Sequence, residues 1–198
     1  MNASSRYGGM IGSLNLDWFW DSLTAEERKT ITVYSLDSSN SIPDQGRTGS
    51  TSASQLNYLI TFLLYASSRR QYHIAETLIR LCKKAKGSYL DFHYFYISAG
   101  ECYYNQIRRG RGPVDSAIYY FELDVDLFPR YREELYANFR GRTPYIPSFQ
   151  RLATLYEIQG RIGDAIIISE KALELGMIMM YTTENGFQDR IDRLKRLK

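Results

Sequence analysis

Apolar residues in this chain recur at intervals of three and four, the spacing that gathers them on one stripe of an α-helix. The pattern is clearest over residues 149–176, FQRLATLYEIQGRIGDAIIISEKALELG, which reads as two short amphipathic helices around a Gly-Arg turn. Leu152, Ala153 and Tyr156 share one face of the first helix, while Ala165 and Ala172 are small residues of the second, placed where two helices must approach closely. Such a pair hides its apolar face only by stacking on neighbours.

The same period recurs upstream with interruptions. Residues 14–23, LNLDWFWDSL, are too aromatic for solvent; Thr24 followed by Glu27 has capping-box spacing and predicts a helix from about Ala25 to Leu36. Together residues 14–36 form an N-terminal cap, with self-association through Trp18, Phe19 and Trp20 as the alternative. Residues 1–13, with Gly8, Gly9 and Gly12, read as a flexible lead-in, and the Ser- and Gly-rich residues 37–51 as a mobile loop. Ser52 and Gln55 repeat the capping spacing ahead of Leu56, Leu59, Phe62, Leu63 and Ala66. That helix pairs with one carrying Ala75, Leu78, Ile79, Cys82 and Ala85, giving a first hairpin over 53–87 closed by Gly87. A second hairpin, 89–129, contains Ala99, Gly100 and Tyr103, an enlarged turn over 108–112, Pro113 at a first helical position, and then Ala117, Phe121 and Pro129. A connector over 130–146, with a short helix near 133–138, leads to the third hairpin, 147–176. Phe187, Ile191, Leu194 and Leu197 then predict a capping helix within 185–198 whose other side is basic; membrane-surface binding is its sharper alternative.

Composition narrows the class. The 198 residues fit a single domain, 14–198, behind the lead-in. Lys+Arg 25 against Asp+Glu 22 gives a net charge of +3, without the strong basic bias of most nucleic-acid binders. The 17 tyrosines suit helical repeats, where the ring fills a gap and the hydroxyl reaches a wet edge. Cys82 and Cys102 fall on apolar stripes, as buried thiols rather than a disulfide framework. Residues 1–15 lack the charged start and apolar core of a signal peptide, and the apolar run 58–66 is about half a membrane span. A cytoplasmic protein is expected.

The third hairpin resembles a tetratricopeptide repeat, and the second resembles one with an inserted turn; together with the first, the resemblance covers about residues 53–176. Ala75, Ala117 and Ala165 are 117 − 75 = 42 and 165 − 117 = 48 residues apart, against about 34 in the standard repeat. The layout is similar to a group of bacterial cytosolic repeat proteins with a Trp-rich start, a Glu-Glu-Arg helix, three divergent hairpins and a Gly-Phe…Arg-Ile…Arg-Leu-Lys tail. The resemblance implies an all-α fold: a right-handed stack of antiparallel helical hairpins, with an N-terminal helix and a C-terminal cap, acting as a protein-interaction scaffold or regulator. It implies a peptide groove on the opening helices, here Asn57, Ile60 and Leu64, then Tyr94, Ile97, Glu101, Tyr104 and Asn105, then Gln150, Thr154 and Glu157. These lack the basic set of the family's carboxylate clamp, so the clamp is not carried over; an aromatic, mildly acidic groove suits an apolar or basic peptide.

Other chemistry has less support. His93 and Cys102, nine residues apart, would be about 13 Å distant along a shared helix, too far for a nucleophile and its base. His73 stands alone, no His/Cys set has zinc spacing, and the Gly-Arg-Gly-Pro run at 110–113 lacks the end of a phosphate loop. No enzyme activity, metal or cofactor is expected. The alternative ligand is a single-stranded nucleic acid, gripped by Arg108, Arg109 and Arg111 beside Tyr103 and Tyr104, with Arg140 and Arg142 near Tyr145 as a second cluster.

Overall fold

The computed structural model describes residues 5–140, 144–179 and 186–197; Arg142, and residues Asn185 and Lys198 that bound the expected terminal helix, lie outside them. The described residues form ten helices and no strand. They cluster in two compact units, Met1–Ser98 and Ala99–Lys198, where the sequence reading draws one domain.

The first unit holds α1 (Gly9–Ser13), α2 (Asp17–Asp21), α3 (Ala25–Ser39), α4 (Gln55–Ser68), α5 (Tyr72–Cys82) and the start of α6 (Tyr89–Ile107). Thr24 caps α3 as its spacing predicts: Glu27 N–H donates to Thr24 Oγ1 at 3.2 Å and Thr24 N–H to Glu27 Oε2 at 2.8 Å. The cap of α4 is Ser54 rather than Ser52, with Asn57 N–H donating to its Oγ at 2.9 Å. Gln55 is thereby free to tie two segments together. Its Nε2 donates to Leu14 O at 2.8 Å and its Oε1 accepts from Lys86 N–H at 3.0 Å. The apolar stripes of α4 and α5 meet each other, with Leu56, Leu59, Leu63, Ala66, Ala75 and Leu78 wholly buried.

The lead-in and the loop differ from their expected mobility. Ile11 is fully buried, and backbone hydrogen bonds tie this segment to the loop: Gly8 N–H to Asp44 O at 3.0 Å, and Ile11 N–H to Pro43 O at 2.9 Å. Trp20 Nε1 also donates to Asp44 Oδ2 at 3.0 Å. A Cβ on Gly8 or Gly9 would strike loop carbonyls of Gly46, or of Gln45 and Pro43. These glycines permit close backbone approach, the second use of glycine beside flexibility.

The second unit holds the end of α6, α7 (Val114–Asn138), α8 (Pro147–Ile158), α9 (Ile162–Glu174) and α10 (Phe187–Lys195). Successive pairs from α7 to α10 pack together. Helix α7 runs through Pro129 instead of ending there in a connector. Pro129 removes one helical hydrogen bond. The stripe of α7 nevertheless continues across it, from Phe128 before the proline to Tyr131 and Leu135 after it, each at most 2% exposed, and their burial offsets that loss.

One turn closes five helices among the described residues: it follows α1 at Asn15 and α9 at Gly176, and it also joins the helices of three hairpins. Arg70, Gly110 and Gly160 each adopt a left-handed conformation, with φ of 61°, 72° and 71°. Their N–H groups donate to Ser67, Ile107 and Glu157, and the N–H groups of the next residues donate to Ala66, Gln106 and Tyr156. This paired arrangement satisfies the last carbonyls of a helix. From the second acceptor to the fully buried alanine of the following helix, the chain advances 75 − 66 = 9, 117 − 106 = 11 and 165 − 156 = 9 residues. Gln71 and Arg161, which start the return helices, have nearly equal dihedrals (φ −85°, ψ 65° and φ −81°, ψ 60°). The middle hairpin differs by two residues, accounting for the enlarged turn.

Candidate functional site

The residues expected to line a groove are placed as follows. In the first unit, Asn57, Leu64 and Tyr94 are exposed, Ile97 is half-buried and Ile60 is buried. In the second, Glu101, Asn105, Thr154 and Glu157 are half-buried, while Tyr104 and Gln150 are buried. Here the charged members have internal partners. Arg151 Nε donates to Glu101 Oε1 at 2.7 Å while its guanidinium lies over the Tyr104 ring, 4.4 Å from the centroid. Arg193 Nη2 donates to Glu157 Oε2 at 2.8 Å, and Arg190, only 6% exposed, lies 3.4 Å from Glu157 Oε1 and donates to Gln150 O at 3.3 Å. Helix α10 thus sets two arginines on this face of α8. It also buries Phe187, Ile191 and Leu194, but the expected stripe stops there: α10 ends at Lys195 and leaves Leu197 65% exposed, while Arg190, expected on the basic outer side, is buried.

The opposite face of α8 opens into a cleft of about 290 Å³ that the sequence reading does not single out. Its floor is Val125 of α7, Leu152 and Tyr156 of α8 and Ile168 of α9, all buried. Tyr156 Oη donates to Glu122 Oε1 at 2.6 Å; Arg161 stacks on the Tyr156 ring at 4.3 Å, and its Nε donates to Asp164 Oδ2 at 2.7 Å. Burial, with the hydrogen bond to Glu122, holds the Tyr156 phenol well above its ordinary pKa, so it remains a donor. This chain of contacts fixes one end of the cleft. At the rim Asp126 and Lys171 are exposed and make no ion pair with a described residue, and Ile167 is 64% exposed. An isoleucine so exposed beside an apolar floor is a place where another side chain gains by docking. The signal was present in the sequence as the apolar run 166–168, too long for a single stripe of α9.

The alternative anionic-ligand patch is only partly assembled. Arg108, Arg109 and Arg111 are exposed in the turn after α6, and Arg140 is exposed just beyond α7, at φ 53°. The rings that would stack bases beside the turn are engaged elsewhere: Tyr103 lies parallel to Tyr120 at 6.0 Å, and Tyr104 lies under Arg151. His93 is buried and His73 half-buried. Cys82 and Cys102 are both fully buried, and burial pushes the Cys82 thiol up to about 12. Among the described residues no group of three His, Cys, Asp or Glu has metal-binding placement, and no helix is long and apolar enough to cross a membrane.

Comparison with known proteins gives a relative without a described activity. An uncharacterized protein of Aquifex aeolicus (strain VF5) is 24% identical over 183 residues, covering 88% of each chain. No family model matches the chain, and no solved structure matches it.

Proposed function

We propose that this chain is a protein-interaction module of the tetratricopeptide kind, a stack of helical hairpins that holds a peptide segment of a partner protein. The equal nine-residue advance from turn to buried alanine in the first and third hairpins supports the repeat reading, because the same spacing serves both. The observation that carries the choice of surface is the contrast between the two sides of α8. On one side Glu101 and Glu157 are already neutralised by Arg151, Arg190 and Arg193; on the other, Ile167, Asp126 and Lys171 stand uncommitted around an apolar floor. The peptide therefore places an aliphatic side chain over Leu152 and Ile168, and a lysine or arginine toward Glu122 and Asp126 of α7. This reading assigns the chain no catalytic step.

Selection from a random peptide display library on the immobilised protein tests this reading. Enriched peptides should pair an aliphatic residue with a basic one. Ile167→Arg should weaken the best of them at least tenfold, while Thr154→Arg, on the opposite face of α8, should leave binding unchanged. Peptides that ignore Ile167→Arg but are lost with Thr154→Arg would move the site to the opening helices. Failure to enrich any peptide would remove the peptide reading.

A further inference from the structure

A second cleft, of about 500 Å³, lies in the first unit and is lined by Asn15, Trp18, Ser22, Gln55, Lys84 and Lys86. Gln55 builds it. By donating to Leu14 O at 2.8 Å and Asn15 O at 3.3 Å, and accepting from Lys86 N–H at 3.0 Å, this one amide fixes the α1–α2 turn against the exit of α5. Leu56 N–H donates to Lys86 O at 3.0 Å and secures the same strap. The wall bearing the indole and the wall bearing the ammonium groups are thereby held in register.

The charges of this region are sorted. Asp17 and Asp21, the carboxylates of α2, are drawn toward the N-terminal segment. Ser5 Oγ and Arg6 N–H donate to Asp17, while Arg6 and Tyr7 Oη donate to Asp21. These hydrogen bonds hold both acids below their ordinary values, so both stay ionised and engaged. Every charged side chain lining the cleft is a lysine. Lys84 and Lys86 are exposed and make no ion pair with a described residue. Trp18 is half-buried and meets Phe19 edge-on at 6.2 Å, and no cation stacks on its ring among the described residues.

An indole face, two uncommitted ammonium groups, an amide and a hydroxyl together match an aromatic ring joined to a phosphate. Stacking on Trp18 recognises the ring, the lysines hold the anion, and Asn15 offers hydrogen bonds to the sugar or base edge, while Ser22 Oγ, whose proton goes to Trp18 O at 2.5 Å, can accept one. An apolar peptide would leave the lysines unanswered, and an inorganic anion would leave the indole unused. We propose that this cleft binds a nucleoside monophosphate unit, either as a free nucleotide or as one residue of a single-stranded RNA.

Tryptophan fluorescence provides the test on the full chain. Titration with AMP should give saturable quenching that disappears in Trp18→Phe. Trp20, buried and hydrogen-bonded to Asp44, should remain silent. The double variant Lys84→Ala/Lys86→Ala, altered only at exposed positions, should keep the helical circular dichroism and lose at least tenfold in AMP affinity. Adenosine should bind at least tenfold more weakly than AMP. A six-residue oligoadenylate separates the two sources: tighter binding than AMP, with a steeper salt dependence, assigns the cleft to RNA, and equal or weaker binding assigns it to the free nucleotide. No saturable quenching by AMP, equal affinity for adenosine, or indifference to loss of both lysines would overturn the proposal.

Discussion

Asp124 shows how one buried group joins distant parts of the chain. It is fully buried on α7, accepting a hydrogen bond from Ser148 Oγ at 2.5 Å and one from Tyr131 Oη at 3.1 Å. Asp124→Ala should cost about 3 kcal/mol, because it strands two buried hydroxyl donors, and should lower Tm by roughly 6–12 °C for a chain of this size. Asp124→Asn, which keeps an acceptor oxygen, should cost clearly less; equal losses from both variants in thermal denaturation would show that the hydrogen bonds are not what matters. Ionisable groups in the apolar stripes give a second expectation. Burial raises the Cys82 thiol from 9.0 and the Tyr58 phenol from 10.0, each up to about 12. The unfolded chain releases these protons at lower pH than the folded chain does, so stability should fall as pH rises from about 9 toward 12. Below pH 9 these groups add no slope. Burial holds the Cys82 thiol protonated at pH 8, so a thiol reagent should modify it only as fast as the protein opens. Prompt modification of native protein would contradict this. Cys82 was legible as a buried residue from its place in the stripe; Asp124 was not, since its partner Ser148 lies 24 residues away on another helix.

Elements were legible where a local rule determines them. Capping chemistry set the start of α3, and small residues at Ala75, Ala117 and Ala165 marked the close helix contacts. Where tertiary contacts decide, the pattern misleads: Gly8 and Gly9 suggest flexibility but admit loop backbone, and α7 continues past Pro129 because Tyr131 and Leu135 find cover. The recurrent turn offers a matched trio of substitutions. A Cβ at Gly110 or Gly160 would meet nothing within 4 Å, so Gly110→Ala and Gly160→Ala probe the left-handed backbone alone. Each should cost about 1 kcal/mol. Arg70 occupies the same position with a side chain, and Arg70→Gly should gain about 0.5–1 kcal/mol, the left-handed strain it relieves less the freedom it adds to the unfolded chain. Urea denaturation with an unchanged m-value would verify these signs. Destabilisation by Arg70→Gly would show that the first turn is not equivalent to the others.

At the scale of the whole molecule, periodicity predicts an all-helical chain, and the helices are there. The surface was harder to read. A groove drawn from helix faces alone could not anticipate that Arg190 and Arg193, some forty residues downstream, reach back to Gln150 and Glu157. Nor could it place Ile167 beside Leu152 and Tyr156 at the mouth of a cleft. Such arrangements depend on how α8, α9 and α10 pack, which no single helix encodes. Methyl-detected NMR of the protein titrated with its best selected peptide tests the peptide-module account most directly. The account predicts shifts centred on the methyl groups of Val125, Leu152, Ile167 and Ile168, with Leu197, outside the cleft, unmoved. Shifts centred away from that cleft, or none at saturating peptide, would contradict it.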